Sequence, residues 1–139
     1  MAYAKTTKVS VDRSLEEIKK VLRKANVNGI ACVERSSIIM IMFEHHSIGV
    51  KMFLHFPQPP SDSANKAAVK AYEQICRSKA RSLLLCIKAK IEAVESNIET
   101  FEQAFLPHIV LKNGDLVGNR VIPALEQFNE KPTSLLLGL

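Results

Sequence analysis

The sequence predicts an α+β fold: a three-stranded antiparallel sheet with a short N-terminal helix, one long helix and a small C-terminal hairpin. Three observations carry that prediction. Short apolar segments between Gly29 and Phe56 are separated by turn residues, the pattern of a strand meander. Residues 66–98 contain neither Gly nor Pro. Within that stretch apolar side chains recur in steps of three and four, the period of a straight helix. A length of 139 residues suits a single domain, 1–139, around one core.

Residues 1–9 read as a polar lead-in, with a short strand expected at 7–11. Ser14-Leu15-Glu16-Glu17 fits a capping box, Ser14 at the N-cap and Glu17 reaching back. Ile18, Val21, Leu22 and Ala25 then form one apolar helical face. Asn26-Val27-Asn28-Gly29 closes this helix, because Asn and Gly tolerate the left-handed conformation. Strands follow at 29–34, 38–43 and 50–56. The run Ile38-Ile39-Met40-Ile41-Met42-Phe43 implies a central strand buried on both faces. In the third strand Val50, Met52, Leu54 and Phe56 share a face, with Lys51, Phe53 and His55 opposite.

The long helix at 66–98 would extend roughly 50 Å. A domain of this size is under about 40 Å across. The helix is therefore expected to overhang, to break near Ser96-Asn97, or to pack along a second copy. The expected homo-oligomer interface is the stripe Tyr72, Leu83, Ile87, Ile91 and Val94. Beyond it, Phe101, Phe105 and Leu106 form a helical turn ended by Pro107, and residues 109–117 read as a hairpin about Asn113-Gly114. A last helix is expected at 120–129, with Pro123 in its first turn. The apolar tail 135–139 is expected to dock on a core or a partner.

With 47% hydrophobic and 24% charged residues the chain is too apolar for disorder. No apolar run approaches the roughly 20 residues that span a bilayer, so no membrane partner is expected. The first residues lack the apolar stretch of a signal peptide, which makes the cytoplasm the expected compartment. Cys32, Cys76 and Cys86 form no C-x-x-C pair, and no Ser-His-Asp, Cys-His or Gly-rich phosphate motif stands out. The expectation is a non-enzyme without cofactor or metal. Two clusters of potential metal ligands stand out in the sequence. Glu92, Glu95, Glu99 and Glu102 share a predicted helical face, which reads as solvated or as the complement of a basic neighbour. His45, His46 and His55 lie on adjoining strands, which reads as a polar turn plus one outward residue.

Charge placement is the functional lead. Residues 1–35 carry eight positive and four negative groups, and residues 66–90 carry seven positive groups against Glu73 alone. Residues 91–139 reverse the sign, with three positive and seven negative. Such polarity concerns partners rather than fold. On the long helix Lys66, Lys70, Arg77, Arg81 and Lys88 fall on one side, a row that suits phosphate binding. Lys19, Lys20, Arg23 and Lys24 of the first helix supplement it. The plainer reading is a solvated face that keeps the protein soluble. At the level of fold, double-stranded-RNA-binding domains share the helix–three strands–helix order and a basic start to the second helix. Phage single-strand annealing proteins share a strand meander followed by a long helix.

Residues 83–102, from Leu83-Leu84-Leu85-Cys86-Ile87-Lys88-Ala89-Lys90 through Glu102, resemble a family of small, largely uncharacterised phage and prophage proteins. Phe105-Leu106, Ile109-Val110-Leu111, Asn113-Gly114 and Val117-Gly118 extend the resemblance, and it reaches more loosely to residues 11–22 and to Phe56-Pro57. The chain departs from that pattern in having no Trp before the Leu run, and Asn97 where glycine is usual. The resemblance implies a mobile-element origin and a bacterial host cytoplasm, and it assigns no functional residues. The function expected is a nucleic-acid-binding accessory protein of DNA recombination or replication. The alternative is an anti-defence protein that inhibits a host immune protein or sequesters a nucleotide signal.

Overall fold

The computed structural model describes residues 4–127. Along the chain come α1 (Val11–Lys24), β1 (Asn28–Arg35), β2 (Ile38–His45), β3 (Ile48–His55), α2 (Lys66–Glu95), α3 (Phe101–Phe105), a 3-10 turn (Leu106–His108) and α4 (Val117–Leu125). The strands form one antiparallel sheet in the order β1-β2-β3, so the α+β expectation holds. Both connections are two-residue turns. His46 and Ser47 take positive φ, the geometry that matches the twist of the flanking strands. Gly29, also at positive φ, sits where β1 carries one extra residue against β2, a bulge at the start of the strand.

Register separates the two faces of the sheet. Cys32, Ile39, Ile41, Phe43, Val50, Met52 and Leu54 point to one side, and all of the fully buried sheet residues are among them. Val33, Ile38, Met40, Met42, Lys51 and Phe53 point to the other. Expectation and structure part here. β2 is central but buried on one face only, because α1 and α2 both lie on that face and no described element covers the other. A continuous apolar run measures the chemistry of both faces, not the presence of a second layer.

Ser10, not Ser14, caps α1: its side chain accepts a hydrogen bond from the Arg13 amide at 3.1 Å. Starting the helix at Val11 puts Ser14, Leu15, Ile18 and Leu22 on the buried side, and Val11 no longer belongs to a strand. Ser14 Oγ is buried with no hydrogen-bond partner among the described residues. α2 opens on Asn65, whose side chain accepts from the Ala68 amide at 2.8 Å. Its 30 residues span about 45 Å. Asn97 then reverses the chain at φ 58, the left-handed position just past the helix end. The break expected at Ser96-Asn97 is real, and so is the overhang: every residue from Lys66 to Ala71 is exposed.

Phe101 and Phe105 fold back under the sheet, with Phe105 edge-on to Phe43 at 5.5 Å between ring centres. The expected 109–117 hairpin is a minimal one, a single bridge between Val110 and Leu116 with Leu111 and Val117 donating to the Asp115 and Ile109 carbonyls, and a separate Ile109–Val50 bridge covers part of the β3 edge. The last helix starts earlier than expected. Asp115 accepts from the Leu116 amide and binds Asn119 and Arg120, which nucleates α4 and leaves Pro123 inside it. The tail 135–139 lies outside the described residues. Gly118 is buried against Pro107, where an added Cβ would meet the Pro107 carbonyl oxygen at 2.8 Å. Gly118→Ala is expected to destabilise by about 1–3 kcal/mol, read as a lowered urea midpoint. An unchanged midpoint would refute that packing.

Two histidines give the fold a pH response. Burial, then the adjacent His46, holds the His45 imidazole below its ordinary 6.5, against a weaker upward pull from Glu102. Burial, then Lys90, does the same for His108. In the unfolded chain both take up a proton near pH 6.5, while in the folded chain they resist it. Their contribution is therefore complete above that pH and is lost as pH falls through it. Thermal melts should show Tm dropping between about pH 7 and 5, and dropping less in His45→Gln/His108→Gln.

Candidate nucleic-acid interface

α1 and α2 lie side by side and run in the same direction. Gln74 donates to the carbonyl oxygens of Lys5 and Thr7, Glu17 pairs with Arg81, and Val21 and Lys24 face Lys88 and Ile91. This pairing decides the fate of the basic row. Lys66, Lys70, Arg77, Arg81 and Lys88 do share one side of α2, but it is the side turned toward α1, next to the buried stripe. α1 covers the middle of the row. Arg81 Nη1 sits 2.6 Å from Glu17 Oε2, with the two side chains only 25% and 29% exposed. Arg77 donates to Gln74 Oε1 at 2.7 Å. Arg81 braces α2 against α1 and Arg77 is held by its own-helix neighbour Gln74, which leaves the exposed lysines of the row in two separate clusters.

The first cluster is the overhang, where Lys66 and Lys70 are exposed. Asn65 holds the helix start, and Gln74, about one turn past Lys70, ties down the N-terminal lead-in, so that Lys5 and Lys8 join the same end of the molecule. Sequence reading missed Lys5 and Lys8, since nothing local signals a hydrogen bond between residues 67 to 69 positions apart. The second cluster lies at the other end of the seam. A groove of about 420 Å³ there has Lys24 on the α1 wall and Lys88 on the α2 wall, and Glu92 and Glu95 of α2 line it as well. Lys20 and Arg23 are exposed on the outer side of α1. Lys19 is turned away toward β1 and pairs with Glu16 at 3.2 Å. Along α2 the clusters are about 27–33 Å apart.

The expected oligomer stripe is largely used up inside the chain. Leu83 and Ile87 are buried in the core, and Ile91 and Val94 pack against it. The reason is that α1 and the sheet occupy the apolar side of α2 along most of its length. Tyr72 is half-buried, and its neighbour Val69 is exposed on the overhang. The acidic row is also broken, because α2 ends at Glu95 and Glu99 and Glu102 follow the turn. His45 and His46 meet edge-to-face at 4.2 Å between ring centres, but His55 lies at the opposite end of β3, about 24 Å along the strand. Among the described residues no three His, Cys, Asp or Glu side chains are grouped to hold a metal. Cys76 is buried, whereas Cys86 is exposed.

No protein-family model, curated protein or solved structure matches this chain. Among the described residues no helix is long and apolar enough to cross a membrane.

Proposed function

We propose that this chain is a non-enzymatic nucleic-acid-binding accessory protein of a phage or prophage, of the recombination or replication type. It takes a duplex across the helix layer, with phosphates held at Lys66 and Lys70 on one end and at Lys24, Lys88, Lys20 and Arg23 on the other. The observation that carries this reading is the spacing of the two exposed clusters, about 27–33 Å along α2. One turn of a duplex is about 34 Å, so a single backbone presents phosphates at both clusters on one face. Backbone contacts of this kind position a protein without reading sequence. The overhang of α2 also leaves Val69 and Tyr72 as the apolar patch on which copies would associate in a homo-oligomer.

The test is a gel-shift and anisotropy titration with 20-base-pair DNA and RNA duplexes from 50 to 200 mM salt. A duplex held by six cations should bind about 10³-fold more weakly at the upper salt. No binding of either duplex at 50 mM salt would overturn the proposal. Tight stabilisation by cyclic nucleotides in a thermal-shift assay would instead favour the anti-defence reading.

A further inference from the structure

The face of the sheet that no helix covers has its own chemistry. Cross-strand pairing sets three rows across it: Arg35, Ile38 and His55; Val33, Met40 and Phe53; Ala31, Met42 and Lys51. Phe53 is 44% exposed, Val33 42% and Ile38 37%, all on adjacent strands. The Phe53 and His55 rings stack at 6.2 Å with 26° between their planes. Beside Phe53 a groove of about 400 Å³ is floored by Val33, Ile38 and Met40 and ended by Arg35. Such a volume lies within the range of small-molecule sites. Arg35 and Lys51 stand in the outer rows, about 13 Å apart along the strands. The carboxylate sharing this face, Glu44, is one row beyond Lys51.

We propose that this face binds single-stranded nucleic acid, stacking unpaired bases on Phe53 and His55 and holding the backbone between Arg35 and Lys51. Charge decides the class of occupant. An apolar floor with an exposed aromatic ring, bounded by cations at both ends, complements bases and phosphates together. A purely apolar partner would leave the Arg35 and Lys51 charges to be desolvated without a counter-charge, which is unfavourable. A spacing of about 13 Å takes two or three nucleotides of an extended strand, with one base over Phe53. This site stands apart from the duplex reading, since it occupies the opposite side of the sheet from α1 and α2.

The experiment measures fluorescence anisotropy of a fluorescein-labelled 12-nucleotide oligothymidylate with the full chain, alongside a 20-base-pair duplex. Phe53→Ala should weaken oligothymidylate binding about tenfold, the effect of losing one base stack. It should leave duplex affinity and Tm unchanged, and Phe53→Tyr should bind within about threefold of wild type. Arg35→Gln/Lys51→Gln should flatten the salt dependence by about 1.4 in slope. Conversely, Lys66→Glu/Lys70→Glu should weaken the duplex more than the oligothymidylate, so failure of one site is distinguishable from failure of the other. Wild-type affinity in Phe53→Ala would overturn the proposal. So would a wild-type dimer that Phe53→Ala converts to monomer in sedimentation, because a second copy would then cover the face.

Discussion

Phe105→Ala will lower the unfolding free energy by about 3–5 kcal/mol, the usual cost of emptying an aromatic site in a core. Phe105 is fully buried and meets three partners at once. Phe43 of β2 stands edge-on at 5.5 Å, Phe101 lies at 4.8 Å, and the Lys90 ammonium sits 5.9 Å above the ring. The Lys90 ammonium also donates to the Ala104 carbonyl, so the same lysine fixes both ring and backbone. Five residues of α3 cannot hold a helix alone; they persist because this ring is anchored. A small cavity of about 50 Å³ beside Phe43, His45, Phe101 and Phe105 would enlarge rather than collapse. Domains of this kind are stable by about 5–15 kcal/mol, so the variant should sit near its folding limit. Urea unfolding followed by circular dichroism measures it. A loss below about 1 kcal/mol would show that α3 does not depend on its aromatic anchor. Phe105→Leu should lose less, because it retains most of the volume.

What the sequence revealed, and what it concealed, follows from the range of each interaction. The strands were legible because their signals are local: alternation in 50–56, an apolar run at 38–43, polar dipeptides between. The end of α2 was legible because Asn97 meets a backbone need within its own turn. The start of α1 was not. Ser10 and Ser14 are both good caps four residues apart, and starting at Ser10 adds a turn that brings Val11 onto the same apolar side as Leu15, Ile18 and Leu22. Glu17, which would complete a capping box with Ser14, instead pairs with Arg81, 64 positions away. α4 was misplaced by its proline: the helix starts at Val117, just after Asp115, which binds the Leu116 amide, Asn119 and Arg120. The candidate site shows the same division. Helical periodicity put five cations on one side of α2 correctly, but periodicity carries no knowledge of what packs there. Only the parallel docking of α1 distinguishes Arg77 and Arg81, held inside the seam, from Lys66, Lys70 and Lys88 at its ends.

That distinction fixes where charge reversal will have its largest effect on binding. Lys66→Glu/Lys70→Glu should weaken duplex binding by about two orders of magnitude at 0.1 M salt. Each phosphate contact to B-DNA contributes about 0.9 to the salt slope, hence nearly a decade of affinity at that ionic strength. Two contacts give the hundredfold, and repulsion by the new carboxylates adds to it. The slope itself should fall by about two. The fold will not confuse the result. Both lysines are exposed on the overhanging first turns of α2, where a negative charge interacts favourably with the helix N-terminus. Tm should therefore hold or rise slightly. Arg81→Glu makes the informative contrast. It places a carboxylate against Glu17 in a seam where both side chains are about three-quarters buried, so it should lower Tm. Arg81→Gln, which avoids that repulsion, should leave the salt slope near wild type because Arg81 has no free charge to give a phosphate. Equal losses of slope in Arg81→Gln and in a single Lys70→Gln would mean that α1 does not shield the middle of the row. A double lysine reversal that binds as wild type would remove the overhang from the interface.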